Sequence, residues 1–268
     1  SMAKELLVAK INDQNIVQLH YQRNVSEATP PKLPIQMRIH GCELHRKDGA
    51  HHPIMCSGDM FDEDIPLKDI RYLVTMWCKG GDLWGWIPKD LDEKTKADFM
   101  KGVLSGLKSL HEHKPNALLH RDIKPSNILI DEKNIVRLTD FGIVKEVTEE
   151  GSSFLRAGTR GWMAPEIYFD PEYYETPVDI YSAGLVFYAL LTKKTGSEMQ
   201  VLWKDLISKN ASPESIKDVP EKYAPIIHRS LQFDENERYT NAGDMLEELE
   251  KITSPAKSRP KDKPKSPP

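Results

Sequence analysis

The chain has 268 residues, enough for one large domain or two small lobes around a cleft, and its 39% hydrophobic and 29% charged residues fit a soluble globular protein. A net charge of −4 gives no general attraction for nucleic acid or an anionic membrane, and the longest apolar stretch, residues 181–191, is too short to span a bilayer. The cysteines Cys42, Cys56 and Cys78 form no CxxC pair, which argues against a disulfide framework and a zinc site; no secretory signal is read at the N-terminus, and a reducing, cytoplasmic location is expected.

Residues 6–11 (Leu-Leu-Val-Ala-Lys-Ile) and 16–21 (Ile-Val-Gln-Leu-His-Tyr) predict two short strands, with turn chemistry between them at Asn12-Asp13-Gln14-Asn15. The pattern predicts an antiparallel hairpin. Residues 23–34 carry Pro30, Pro31 and Pro34 and are expected to be loop. Strands are expected at 35–39, 54–61 and 70–77. Beyond Asp82 the period changes. Phe99, Met100, Val103, Leu107 and Leu110 recur at helical spacing, predicting a helix that ends near His113, before Pro115. Short strands at 128–130 and 136–139 flank the turn Asp131-Glu132-Lys133-Asn134. An apolar helix is expected over 178–191 and a charged amphipathic one over 241–252. The Pro- and Lys-rich residues 253–268 have nothing with which to build a core and are expected to be disordered. A β-rich part at 3–78 and a helical part at 79–252 give an α+β, two-lobed plan.

Four motifs follow one another in a fixed order: His120-Arg121-Asp122-Ile123-Lys124-Pro125-Ser126-Asn127, Asp140-Phe141-Gly142, Gly158-Thr159 and Ala164-Pro165-Glu166. On these the chain resembles a eukaryotic-type serine/threonine protein kinase over roughly residues 50–252. The resemblance implies transfer of the γ-phosphoryl group of ATP, with Mg²⁺, to serine or threonine hydroxyls of protein partners, and gives no nucleic-acid partner. It implies Asp122 as the carboxylate that orients the acceptor hydroxyl and takes its proton, Lys124 as the cation beside the transferred group, and Asn127 and Asp140 as the metal ligands. Tyr72–Leu83 resembles the last strand of the first lobe and the hinge. That match makes Thr75 the gatekeeper, aims the backbone of Met76 and Cys78 at the adenine edge, and sets Asp82 by the ribose. By the same likeness Glu166 and Arg238 form a buried ion pair, Asp179 bonds the catalytic-loop backbone, and His120 and Phe141 stack. Thr159 is expected to contact Asp122 and Lys124. Arg121 is expected to receive an activation-loop phosphate on Ser152 or Ser153; Thr148 lies in the same segment, and Leu155 stands where the family's usual site falls. Residues 158–166 and 178–191 are also similar to the unfolded-protein-response sensor kinases.

The first 40 residues contain no glycine, so the family's Gly-rich loop over the phosphates is not found there. Two registers remain open for its lysine strand. One puts it at Leu7-Val8-Ala9-Lys10-Ile11. The other makes residues 6–21 the first hairpin and aligns Arg38 with the lysine. Glu43, ten residues before Pro53, falls where the family's helix glutamate lies, yet residues 40–51 make a poor helix because of Gly41, Gly49 and several histidines. The group His40, His45, His51 and His52 lacks metal-ligand spacing. A non-catalytic regulatory module of the same fold is the alternative function.

Overall fold

The structure, a computed structural model, describes Val8 and residues 11–25, 42–45, 51–54, 70–141, 144–147, 159–170, 175–209 and 212–254. The architecture is α+β and two-lobed, β-rich before Asp82 and helical after it. Its β-strands form two-stranded antiparallel sheets. Strand β1 (Leu19–Val25) pairs with β4 (Ile70–Thr75), with Leu19 opposite Thr75 and Val25 opposite Ile70. Strands β2 (Cys42–His45) and β3 (His51–Ile54) form a hairpin in which Glu43 faces Pro53. Glu43 therefore lies on a strand. The strand expected at 54–61 lies outside the described residues beyond Ile54, as do residues 35–39 and the tail beyond Ser254.

Among the described residues the hairpin expected between 6–11 and 16–21 is not formed. Val8 is helical, and the Ile11 N–H donates to its carbonyl at 2.9 Å. The partner of Leu19–Val25 is β4, some fifty residues on. A short apolar run fits a buried helical turn as well as a strand, and Val8 and Ile16 are both fully buried. Residues 6–7 and 9–10, which carry the lysine-strand register at 7–11, lie outside the described residues, as does Arg38 of the other register.

The second lobe is built on two helices. Helix α1 (Glu93–His111) starts where the Asp92 carboxylate caps the Thr95 N–H at 2.6 Å, and buries Phe99, Met100, Val103, Leu104, Leu107 and Leu110 on one stripe. Short strands follow: β5 (Leu118–Leu119), β6 (Ile128–Ile130), β7 (Val136–Leu138) and β8 (Lys145–Glu146); β5 pairs with β8, and β6 with β7. Helix α2 (Pro165–Phe169) leads to α3 (Pro177–Thr192), which is buried from Pro177 to Leu191. Being apolar all round, α3 is the central post of the lobe. Helix α4 (Gly196–Ile207) follows it, α5 (Ala224–Ser230) and α6 (Ala242–Thr253) pack against it, and α6 packs along α1. The helices expected over 178–191 and 241–252 are thus found within two residues of their bounds.

Residues 11–18 are stapled to this lobe. The Val17 N–H donates to the Leu138 carbonyl at 2.9 Å and the Leu138 N–H to Asn15 at 2.8 Å. The Asn15 amide donates to the Val136 carbonyl at 2.9 Å, Arg137 Nη1 to the Gln14 carbonyl at 2.5 Å, and the Ser109 hydroxyl to Asp13. Two glycines one turn apart on α1 make room for this segment. A Cβ on Gly102 would meet the Val136 Cβ at 2.8 Å, and one on Gly106 the Asn15 carbonyl oxygen at 2.8 Å. No helix of the described residues is long and apolar enough to cross a membrane.

Candidate active site

The loop after β5 is fixed from beneath by the first turn of α3. Both oxygens of Asp179 are used: Oδ2 accepts from the His120 N–H and Oδ1 from the Arg121 N–H, each at 2.8 Å. His111, at the end of α1, adds Nε2 at 3.2 Å to Oδ2, while its Nδ1 accepts the Ala242 N–H at 3.2 Å. Accepting at Nδ1 leaves the ring proton on Nε2, where it bonds Asp179. Burial of Asp179 acts to raise its pKa, but the bonds from His111 and the Arg121 amide outweigh this and hold it below the usual carboxylate range. Arg121 itself is forced to φ 68°, a left-handed backbone that non-glycine residues seldom adopt. Over-determination by Asp179 sustains that conformation.

Held in this way, the loop brings four side chains together. Asp122 Oδ2 accepts from Lys124 Nζ at 2.6 Å and from the Asn127 amide at 3.0 Å. Asp122 Oδ1 accepts from the Thr159 hydroxyl at 2.7 Å, and that hydroxyl accepts from Lys124 Nζ at 2.7 Å. The Asn127 amide also donates to the Asp122 carbonyl at 2.8 Å. Asn127 thus directs its N–H groups at Asp122, and among the described residues its oxygen has only a 3.4 Å contact from the Ser126 hydroxyl. Asp122 is 11% exposed at its side chain and Lys124 21%, so both retain some contact with solvent.

Asp140 is tied to the same loop through the backbone, since the Thr139 N–H donates to the Asn127 carbonyl at 3.0 Å. It is exposed and left-handed at φ 62°. Phe141 is buried and lies 5.2 Å from the His120 ring. His120 Nδ1 faces the Asp122 N–H at 3.4 Å and Nε2 the Thr139 carbonyl at 3.0 Å, so the ring braces both Asp-bearing segments.

Thr75 ends β4, and the chain then crosses to the second lobe. The Met76 N–H is already bonded to the Gln18 carbonyl at 3.0 Å. Among the described residues the Met76 carbonyl and the Cys78 N–H have no backbone partner, which leaves one acceptor and one donor at the hinge. The Cys78 thiol is buried, and burial pushes its pKa up to about 11 against the opposing pull of Arg137. Asp82 caps the short 3-10 turn Leu83–Gly85, its carboxylate accepting the Gly85 N–H at 3.3 Å. That cap gives Asp82 a structural duty.

Beyond this cluster, Arg238 uses all five donors: Nη1 and Nη2 meet the Glu166 carboxylate at 2.7 and 2.8 Å, and the rest meet the carbonyls of Gln232, Pro177 and Phe233. The Arg238 side chain is 0% exposed. Residues 159–163 are hung from the helices by carbonyl bonds, Trp162 to the Ser182 hydroxyl and Met163 to Trp203 Nε1, each at 2.7 Å. Sequence reasoning passed over Gln200, Trp203 and His111. The capping box Thr195/Glu198 ahead of Met199, Leu202, Trp203 and Leu206 was the available signal for α4. Nothing local marks His111, whose partners come from far along the chain. Thr148, Ser152, Ser153 and Leu155 lie outside the described residues.

A family model described as "protein kinase domain" matches residues 30–249. Among curated proteins, a serine/threonine-protein kinase of Schizosaccharomyces pombe is 33% identical over 216 residues, covering 75% of this chain and 45% of the relative. One of Arabidopsis thaliana is 27% identical over 200 residues, covering 72% and 34%. A third, of Saccharomyces cerevisiae, is 39% identical over 131 residues, covering 47% and 12%. The chain therefore spans less than half the length of each of these relatives.

Proposed function

The chain belongs to the protein kinase domain family, with serine/threonine-protein kinases among its relatives, and on that premise we propose that it transfers the γ-phosphoryl group of ATP to serine and threonine hydroxyls of proteins. The observation that carries the reading is the convergence of Lys124, Asn127 and Thr159 on one carboxylate, that of Asp122. In the reaction the acceptor oxygen bonds the γ-phosphorus as the bond from that phosphorus to the β–γ bridging oxygen breaks. ADP leaves with that electron pair, and the hydroxyl proton passes to Asp122. Lys124 offsets negative charge where the groups meet. Most of the work is positioning, and each site group is held by the scaffold before a substrate arrives.

The donor set suits Mg²⁺, which prefers oxygen ligands and takes few from protein in phosphate sites. The Asn127 oxygen and the exposed Asp140 carboxylate would hold it, and when bound it neutralises phosphate charge. The Met76 carbonyl and Cys78 N–H would take the adenine edge, with Asp82 toward the ribose. We place the lobe boundary near residue 78 and the protein in a reducing, intracellular compartment, with protein rather than nucleic-acid substrates.

The run of 40 residues without glycine favours a second reading, a regulatory module of the same fold with weak or no catalysis. A thermal-shift series with ATP, with and without Mg²⁺, tests the first reading. A ligand at 100 times its Kd adds about 2.7 kcal/mol to the folded state. The expected result is a rise in Tm with ATP that grows when Mg²⁺ is added. No shift under either condition contradicts nucleotide binding at this site.

A further inference from the structure

Residues Thr159-Arg160-Gly161-Trp162 close a turn, the Trp162 N–H donating to the Thr159 carbonyl at 3.0 Å, with Gly161 at φ 95°. A positive φ at the third residue with that bond makes a type II turn, whose second residue stands at the corner. Arg160 holds the corner. Gln200 of α4 clamps it from below, its Nε2 donating to the Arg160 carbonyl at 3.0 Å, and a Cβ on Gly161 would fall 2.3 Å from that nitrogen. Only glycine at 161 allows both the turn and the clamp.

One residue away, the Thr159 side chain is fixed inward on Asp122 and Lys124. The turn therefore holds the Arg160 Cα about 3.8 Å from that of Thr159. The Arg160 side chain is exposed, and none of the ion pairs among the described residues engages it. The acidic residue of α4 nearest Gln200 in sequence, Glu198, faces the Thr195 N–H at its own helix start. Asp90 is paired with Lys193. An extended peptide advances about 3.3–3.6 Å per residue. With its acceptor at Asp122, such a peptide passes this guanidinium within a few residues of the phosphorylated hydroxyl. A guanidinium fork matches the two oxygens of a carboxylate or phosphate.

We propose that Arg160 is a specificity-determining residue that selects protein substrates bearing an oxyanion, either a carboxylate side chain or a phosphate already present, within a few residues of the acceptor. This rests on the transfer reading above. Its test is a set of otherwise neutral peptides with a single threonine, carrying Asp, phosphoserine, Asn or Lys at each of the neighbouring positions in turn. For the wild type, kcat/KM should rank Asp and phosphoserine above Asn and Asn above Lys at one or more of those positions. The spread from an exposed charge pair should be about two- to fivefold, and larger where the contact is bidentate. Arg160→Gln should flatten the ranking and Arg160→Glu should invert it. Comparing ratios within each protein removes any change in overall turnover. Phosphoserine far above Asp would identify previously phosphorylated substrates, and parity would identify acidic ones. An identical ranking in the wild type and Arg160→Glu overturns the proposal. If the wild type phosphorylates no peptide, the transfer reading fails separately, and fluorescence anisotropy of the labelled Asp and Lys peptides decides this one. Weaker binding of the Asp peptide to Arg160→Glu supports it, and equal binding overturns it.

Discussion

The Thr159 hydroxyl donates to Asp122 Oδ1 and accepts from Lys124 Nζ, both at 2.7 Å, so the acceptor-side loop and the carboxylate that would take the substrate proton share one hydrogen-bonded unit. The loop cannot shift without disturbing the orientation of Asp122. Misplacement by about 1 Å is enough to cost on the order of a hundredfold in rate.

Thr159→Val keeps the shape and removes both bonds. It should lower kcat about 10- to 100-fold with little change in the KM for ATP, while Thr159→Ser retains most activity. Steady-state kinetics on the three proteins checks this. Equal kcat for the valine variant would separate the loop from the chemistry.

Arg238→Ala leaves the Glu166 carboxylate, 9% exposed, without its partner and frees three carbonyls. Removing one member of a buried pair costs about 3–5 kcal/mol. Arg238→Lys should recover little of this, because an ammonium cannot reproduce the five-donor fork. Urea denaturation of both variants measures it.

Asp179 gives a pH dependence with a definite sign. Its folded pKa lies below the unfolded value of about 3.9, so its stabilising contribution is fully present above that value and is lost as pH falls through the folded one. Asp179→Asn should cost about 2–4 kcal/mol near neutrality, because an amide cannot accept from both the His120 and Arg121 N–H groups as the carboxylate does. The gap between the two proteins, followed by chemical denaturation, should stay constant down to about pH 4 and narrow only below it.

Gly106→Ala sets two effects against each other. Alanine is better in a helix by about 1 kcal/mol. Its Cβ, however, would press on the Asn15 carbonyl oxygen at 2.8 Å, and that oxygen accepts the Leu138 N–H. Overpacking of this kind costs about 1–3 kcal/mol. The net expectation is a lower Tm, with faster hydrogen exchange at the Leu138 amide. A gain in Tm with unchanged exchange would show that the segment yields freely.

The second lobe was legible in the sequence because its signals are local. Phe99 to Leu110 and Val178 to Leu191 carry helical patterns long enough to exclude strands, and the loop from His120 to Asn127 is contiguous. The N-terminal segment was not legible. A short apolar run interrupted by Lys10 does not distinguish helix from strand, and the docking of Asn15 depends on Gly102 and Gly106, about ninety positions away. The left-handed backbone at Arg121 and Asp140 has no glycine to announce it. It follows from bonds to Asp179 and from packing between His120 and Phe141, which exist only once the chain is folded.

The most direct test of the account is Mg²⁺-dependent transfer of the γ-phosphate of ATP to a serine/threonine peptide by the wild type and by Asp122→Asn. Loss of a positioned proton acceptor costs about 10²–10⁴-fold. The prediction is measurable transfer by the wild type and a loss of that size in the variant, with ATP binding intact in both. Equal transfer by the two proteins, or none by a wild type that binds Mg²⁺ and ATP, contradicts it.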